Sequence, residues 1–414
     1  MSWTRRYRDG HELPPLARTP EDWRAWAEEH GERTFRGNQI FNWLQGRHEL
    51  DPVAMTNVPK ATRILIADEL RTRLPSIEQV HLASDQTRKL LVRMGDGAAV
   101  ETVLIPMTDP AEERAELAGG DDEDELAQDL QSATRARVTQ CISSQAGCSM
   151  RCAFCATGEL GLQRHLGPDE IVAQVLLGKS QLREDERLSN LVFMGMGEPL
   201  HNYDATVRAV RILTHEEGVG LSTRRITIST VGLIPEIERL GQEFQGRIGL
   251  AISLHAADDE TRSRLVPTNR RYPLRDLIEA LKRYPLPPRR RITIEYALID
   301  GVNDDDETAR RLVHLLRGLP VKVNLIPLNP VEHTPLGPSG EERVLGFQRV
   351  LTDARMSCFI RRRRGGDIKA ACGQLAGAAR ESDRLLRIGR RSNAEEPGDG
   401  PVGAIHLPVH PSAG

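Results

Sequence analysis

Cys148, Cys152 and Cys155, in the stretch CSMRCAFC, are the residues of this chain best spaced to do chemistry together. Three thiolates at these spacings can hold three irons of a [4Fe–4S] cube and leave the fourth iron without a protein ligand. An open iron can take a small molecule by its amino and carboxylate groups and pass one electron into it. Electron-transfer clusters use four cysteines in other spacings, and closed structural zinc sites also want four ligands. The plainer readings are a zinc loop short of one ligand, or three incidental thiols. Phe154 just before the last cysteine, and the βα pattern around the motif, count against both.

Other candidates lie where strand patterns end. In MGMGEP (194–199) the glycines let backbone approach a ligand, and Gly197 and Glu198 could accept hydrogen bonds from an ammonium group; a tight turn is the default explanation. Ser229 ends one strand pattern, Ser253, Leu254 and His255 end the next, and Asn329 follows a later one in PLNP. Singly, each reads equally well as a satisfied turn or core residue. At successive strand ends facing one cleft they read together as a ligand site. Cys141 lies seven residues before Cys148, and Cys372 sits among small residues in AACGQLAG. A free cysteine is most often a small buried hydrophobe. The other reading of Cys141 and Cys372 is a nucleophile and a resolving thiol closing on one site. Cys358 keeps the plain reading.

The elements that must position these residues follow from periodicity. Helical spacing at 20–30, 35–47 and 61–70 gathers Trp23, Trp26, Ile40, Phe41 and Leu44 into a small core. Strand-like runs at 89–94 and 98–106 flank a Gly-Asp-Gly turn and predict a hairpin joining two domains. Strand runs at 138–143, 190–195, 225–230, 247–254, 291–298 and 321–327 alternate with helical runs at 169–178, 204–214, 233–241, 273–283 and 306–317. Such a series implies a parallel sheet, as an open or partial barrel, with function at the strand ends. A further strand near 356–361 and a helix at 367–379 complete it. The division is 1–88 helical accessory domain, 89–106 hairpin, 107–135 acidic insertion, 136–380 catalytic domain, and 381–414 basic extension and disordered tail.

Composition bounds the setting. The chain has 414 residues, 39% of them hydrophobic, with no run approaching the ~18 apolar residues of a membrane span. The N-terminus has no apolar core of an export signal, so the six cysteines point to a reducing cytoplasm. The net charge of −3 hides an asymmetry: residues 109–130 carry ten acids against Arg114, a net of −9, so the rest sum to +6. Residues 353–391 hold eleven Arg and Lys against four acids, including Arg361 to Arg364. That density suits a phosphate backbone, with a solvated basic surface the equal alternative.

Taken together, CISSQAGCSMRCAFCATG, MGMGEPL, RRITIST, AISLHA, RITIEY, NLIPLNP and AACGQLAG resemble the radical S-adenosylmethionine (SAM) adenine-C2 methyltransferases that modify 23S rRNA and tRNA, in register from about residue 20 to 390. The resemblance implies an α/β fold, a partial (β/α)6 barrel of the radical SAM type with a small N-terminal helical accessory domain. It implies one [4Fe–4S] cluster on Cys148, Cys152 and Cys155, and SAM contacts from Gly197, Glu198, Ser229, Ser253, Leu254, His255 and Asn329. Cys372 matches the methyl-carrying cysteine, Cys141 the resolving one, and Glu101 a carboxylate that accepts a proton. Without that match Glu101 reads as the solvent side of a strand. In such a family one SAM methylates the carrier thiol. A second yields a 5′-deoxyadenosyl radical that takes hydrogen from the S-methyl group, and the carbon radical then crosslinks briefly to the RNA base. The resemblance further implies a monomer, no membrane, and an electron donor such as flavodoxin. The alternatives are the sister activity at adenine C8 and, from another class, an RNA-binding iron–sulfur protein without methyl transfer.

Overall fold

The computed structural model describes residues 13–71, 74–107, 135–332 and 334–375. Nearly all of the acidic insertion and all of 381–414 lie outside the described residues.

Helix α1 (Pro20–Glu29) begins with a capping box, in which Thr19 Oγ1 accepts from the Asp22 amide at 3.3 Å and Asp22 returns an acceptor to the Thr19 amide at 2.8 Å. Helix α2 (Phe35–Phe41) runs on into a π turn over Asn42–Gly46, and α3 (Lys60–Arg71) completes the layer. Trp23, Trp26, Ile40, Phe41 and Leu44 are all buried, as their spacing predicts. Arg208 ties this layer to the rest, its Nε donating to the Ala17 carbonyl at 2.7 Å.

Strands β1 (Ser76–Leu82), β2 (Arg88–Arg93) and β3 (Ala99–Pro106) form an antiparallel meander. β3 continues antiparallel onto β4 (Ala136–Cys141), with Val103 opposite Cys141. The expected hairpin is therefore no linker; it is the flank of the main sheet. The first strand of the meander was not foreseen, because SIEQVHL is mostly polar and mostly exposed along its length.

After β4 a short ribbon, β5 (Gln145–Gly147) with β6 (Leu162–His165), encloses α4 (Ala156–Leu160). The chain then alternates: α5 (Pro168–Lys179), β7 (Glu186–Phe193), α6 (Tyr203–Leu213), β8 (Ile226–Thr230), α7 (Ile234–Phe244), β9 (Gly249–Ser253), α8 (Asp259–Leu265), α9 (Leu274–Arg283), β10 (Ile292–Leu298), α10 (Asp306–Leu316), β11 (Val321–Pro327), α11 (Glu341–Asp353) and β12 (Ser357–Ile360). The ten-stranded sheet runs β1-β2-β3-β4-β7-β8-β9-β10-β11-β12, parallel from β4 onward. β12 and β1 are its two edges, so the barrel is open, and six βα units lead to the last strand. The parallel strands alternate: apolar residues such as Ile226, Ile228 and Ile294 are buried, while Ser229, Ser253 and Glu295 fall on the other face, toward the first cavity.

The helix expected over 367–379 does not form in the described part. Gly366–Ile368 make one 3-10 turn, and residues 369–375 are irregular. Lys369 and Gly373 have φ of 51° and 82°, which no α-helix accommodates. The helix α11 was not anticipated. No helix among the described residues is long and apolar enough to cross a membrane.

Candidate active site

The chain leaves β4 at Cys141 and turns through β5 into the cysteine motif. The motif loop is fastened from outside, the Ala153 amide donating to the Leu265 carbonyl at the end of α8 at 2.9 Å. Cys148, Cys152 and Cys155 line one cavity of ≈ 160 Å³. Burial pushes the Cys148 thiol up to about 12, with the charges of Glu198 and Cys155 adding to it, and Cys152 is raised well above its ordinary value by burial and by its two neighbours. Thiols held neutral in this way, as Cys148 and Cys152 are, become thiolates only when a cation compensates them. Among the described residues no three His, Cys, Asp or Glu side chains converge closely enough to hold one metal ion. Three thiolates on one cavity wall can each take one corner iron of a cube and leave the fourth corner open to the cavity. The donor set fits a [4Fe–4S] cluster better than a single ion.

Gly197, Glu198, Ser229, Ser253, His255 and Asn329 line the same cavity, whereas the fully buried Leu254 does not and could offer only backbone. Gly197 has φ of 104°, and a Cβ there would lie 2.6 Å from Gln145 Cβ, so the position admits no side chain. Glu198 Oε2 and Oε1 accept from the Val231 and Leu200 amides at 2.9 and 3.1 Å. Burial nonetheless pushes its carboxyl up to about 7. Ser229 and Ser253 place their hydroxyls 3.4 Å apart. His255 sits at φ 58°, edge-on to Phe154 with ring centroids 4.6 Å apart. Its Nδ1 accepts the Ala297 amide at 2.9 Å, so Nε2 carries the proton as a donor. Burial, then the charge of Arg262, lowers this imidazole to about 3 and keeps it neutral.

Cys372 joins this cavity from more than two hundred residues away. The Ala156 amide donates to the Gly373 carbonyl at 2.8 Å, Thr157 Oγ1 to the Leu375 carbonyl at 2.8 Å, and Asn329 Nδ2 to the Cys372 carbonyl at 3.1 Å. Gly373, at φ 82°, would bring a Cβ to 3.3 Å from the Phe154 carbonyl oxygen. Cys372 also lines a second cavity of ≈ 280 Å³, whose wall includes Arg361 to Arg364. Asn329 and Arg361 are common to both cavities. Cys141 is 7% exposed and lines neither; burial and then the nearby Cys372 push its thiol up to about 12, with Arg361 acting against the rise. All six cysteines are free thiols. Cys358 is buried in β12.

Glu101 corrects the solvent-side reading of its strand, being 0% exposed on β3. Its amide donates to Met196 Sδ at 3.4 Å, and its carbonyl accepts from Ser143 Oγ at 2.6 Å.

Sequence reasoning missed Glu295, Arg262 and Lys89, and saw Arg361 only as part of a basic stretch. Glu295 on β10 lines the first cavity and accepts from Asn324 Nδ2 at 3.1 Å. Arg361 lies within 4.0 Å of Glu295. Arg262, fully buried, donates to the Leu254, Val231 and Ser253 carbonyls and to Asn269 Oδ1, binding together the ends of β8 and β9. Lys89 reaches Glu101 from β2. A charged residue inside an apolar strand run was the signal available for Glu295 and Lys89; Arg262, on a polar helix, gave none.

Known proteins match this chain along its length. Residues 142–313 match the radical SAM superfamily, and residues 16–74 the ribosomal RNA large subunit methyltransferase N-terminal domain. A "Dual-specificity RNA methyltransferase RlmN" of Sorangium cellulosum is 57% identical over 374 residues, 88% of this chain and 95% of that protein. A protein of the same name from Syntrophobacter fumaroxidans is 43% identical over 84% of this chain and 94% of its own length. The crystal structure of a radical SAM methyltransferase from Sphaerobacter thermophilus superposes with a TM-score of 0.78 at 42% identity, covering 88% of this chain and 99% of that one.

Proposed function

Because the chain belongs to the dual-specificity RNA methyltransferases of the radical SAM superfamily, a group that works with a [4Fe–4S] cluster and SAM, we propose that it methylates C2 of an adenine in 23S rRNA and in tRNA through Cys372. One observation carries the reading: Cys372 stands in the wall between two cavities, one lined by the motif cysteines and the strand-end residues, the other by Arg361 to Arg364.

Adenine C2 is an electron-poor carbon with no lone pair, so direct polar transfer of a methyl group onto it is impractical. Sulfur is a good nucleophile, and Cys372 takes the methyl first. Cys148, Cys152 and Cys155 would hold the cluster, whose chemistry when bound would be to give SAM the one electron needed for its cleavage to a 5′-deoxyadenosyl radical. Glu198 and the backbone at Gly197 accept from the SAM ammonium, while Ser229, Ser253, Asn329, the His255 Nε2–H and the backbone at Leu254 orient the rest. The S-methyl carbon of Cys372, one hydrogen short, adds to C2. One electron must then leave the adduct, for which the oxidised cluster, when bound, would be the acceptor. The methyl's third hydrogen comes from the Cys141 thiol proton when the S–C bond breaks. Glu101 accepts the C2 proton. Cys141 then displaces the product from Cys372 as a disulfide forms, Arg361 favouring its thiolate against burial. Arg361 to Arg364 offer the second cavity cations for the RNA backbone. An external one-electron donor such as flavodoxin, a monomeric state and a cytoplasmic location complete the proposal.

Anaerobic reconstitution with labelled SAM and unmodified rRNA and tRNA tests it. Mass spectrometry should find 2-methyladenosine in both; 8-methyladenosine would move the reading to the sister activity. RNA binding with no SAM consumed would remove it altogether.

A further inference from the structure

Lys89 and Glu101 form a buried ion pair: Nζ lies 3.1 Å from Oε1, and the side chains are 6% and 0% exposed. Lys89 stands opposite Val103 and Leu91 opposite Glu101 along β2 and β3, and Val103 stands opposite Cys141 on β4. Alternation along the strands puts Lys89, Glu101 and Cys141 on one face of the sheet. The same ammonium donates to the Lys369 carbonyl at 3.4 Å, three residues before Cys372. One cation thus touches the carboxylate and the loop that carries the thiol.

Stability is a weak reason for such a pair, because well-packed apolar residues usually replace a buried ion pair without loss. We propose that Lys89 is a positioning residue for methyl transfer, anchored by the Lys369 carbonyl and holding the Glu101 carboxylate charged and aimed at the carbon above Cys372. The inference rests on reading Glu101 as the acceptor of the C2 proton. The step it governs moves one proton from C2 of the adduct to the carboxylate and leaves the C–H electron pair on the ring, while the adduct's odd electron leaves to the oxidised cluster of the loaded enzyme.

The surroundings of Glu101 set what else could act on it. β4 presents Cys141 on the same face. The loop brings Cys372, while the Lys369 ammonium turns away to Glu332 at 2.6 Å. Arg361, just past β12, lies beside Glu295 and acts on Cys141. Met196 and Ser143 meet the Glu101 backbone as neutral groups.

Lys89→Met, Lys89→Gln and Lys89→Arg are to be compared in the cluster-loaded enzyme with SAM and unmodified RNA, across about pH 6 to 9. The Met and Gln variants should methylate Cys372 and cleave SAM as the parent does. Their RNA product should form about tenfold more slowly at neutral pH for each unit by which the profile moves to the alkaline side. A covalent enzyme–RNA species through Cys372 should accumulate. In infrared difference spectra against Glu101→Gln, the carboxylate band of Glu101 should fade at neutral pH in both variants and persist in Lys89→Arg, which should also keep the parent profile. Gln retains hydrogen bonding without charge, so it decides the matter if Met does not fold. An unshifted profile with the band retained in Lys89→Gln, or a shifted one in Lys89→Arg, overturns the proposal. Parent-like turnover in Glu101→Gln would instead overturn the reading of Glu101 as the proton acceptor.

Discussion

Cys141 and Cys372 approach one site on opposite kinds of backbone. Cys141 ends β4 with strands on both sides, opposite Val103 on β3 and Val192 on β7, and its carbonyl accepts from Thr102 Oγ1 at 2.7 Å. Cys372 lies in an irregular stretch between two left-handed residues, held by Asn329, by the Ala156 amide and by Gln374 Nε2 on the Pro330 carbonyl. A strand thiol cannot shift without breaking a ladder. The loop thiol is placed by a few hydrogen bonds of ~1 kcal/mol each. That contrast suits a resolving group that waits and a carrier that serves two cavities in turn.

The largest effects should come from removing each sulfur. Cys372→Ala should keep its cluster and cleave SAM but transfer no methyl to RNA. Cys141→Ala should still accept a methyl on Cys372 and then stall covalently on RNA, visible as an adduct on the Cys372 peptide by mass spectrometry. Equal damage in both variants with no adduct would erase the asymmetry and leave two structural thiols.

Smaller changes beside each cysteine sharpen the contrast. Gly373→Ala forces a side chain into φ 82° with its Cβ 3.3 Å from the Phe154 carbonyl oxygen, a strain of ~1–2 kcal/mol. Turnover should fall about tenfold, while the denaturation midpoint drops by less than the full strain, because a stretch held by a few hydrogen bonds can shift locally to relieve it. Thr102→Val removes the hydrogen bond to the Cys141 carbonyl and the acceptor of Gln140 Nε2, and should cost ~1–3 kcal/mol of folding stability with turnover per folded molecule nearly kept. The reverse pattern, lost stability at 373 and lost turnover at 102, would break the division between fixed and adjustable backbone.

The smallest effect is a pH dependence of the cavity they share. Burial raises the Glu198 carboxyl from 4.5 to about 7. Below about pH 7 it is neutral and cannot pair with an ammonium, so SAM affinity, read by equilibrium binding, should fall up to tenfold per unit as pH drops. The sign for folding is opposite. A raised carboxyl contributes stability below 4.5 that is lost as pH rises through about 7, so without SAM this group favours the acid side. Affinity that is flat across this window would mean that the ammonium goes elsewhere.

Much of the frame was legible because apolar strands and amphipathic helices alternate in the sequence, and strand ends named the residues of the first cavity. Three features resisted. The meander's outer strand is polar on both faces and has no alternation to read. The Cys372 loop looked helical by composition, and its shape comes from the left-handed Lys369 and Gly373, the first of which no glycine announces. Glu101 looked solvated because charge in a strand is usually outward; only the register of β2, β3 and β4 puts it, with Lys89, on the face that carries Cys141.

The cavity of ≈ 160 Å³ that the motif cysteines share with the strand-end residues carries a kinetic consequence for the proposed function. The residues proposed to hold SAM, Leu254 apart, line it, and Cys372 borders it, so under the proposed function the methyl donor and the radical source would use the same seat one after the other. The spent first molecule has to depart before the second enters. Under that reading the Cys372 thiol, which also lines the other cavity, would hold the methyl group during the exchange. Initial-rate plots should therefore show a double-displacement pattern, with S-adenosylhomocysteine competing against both uses of SAM.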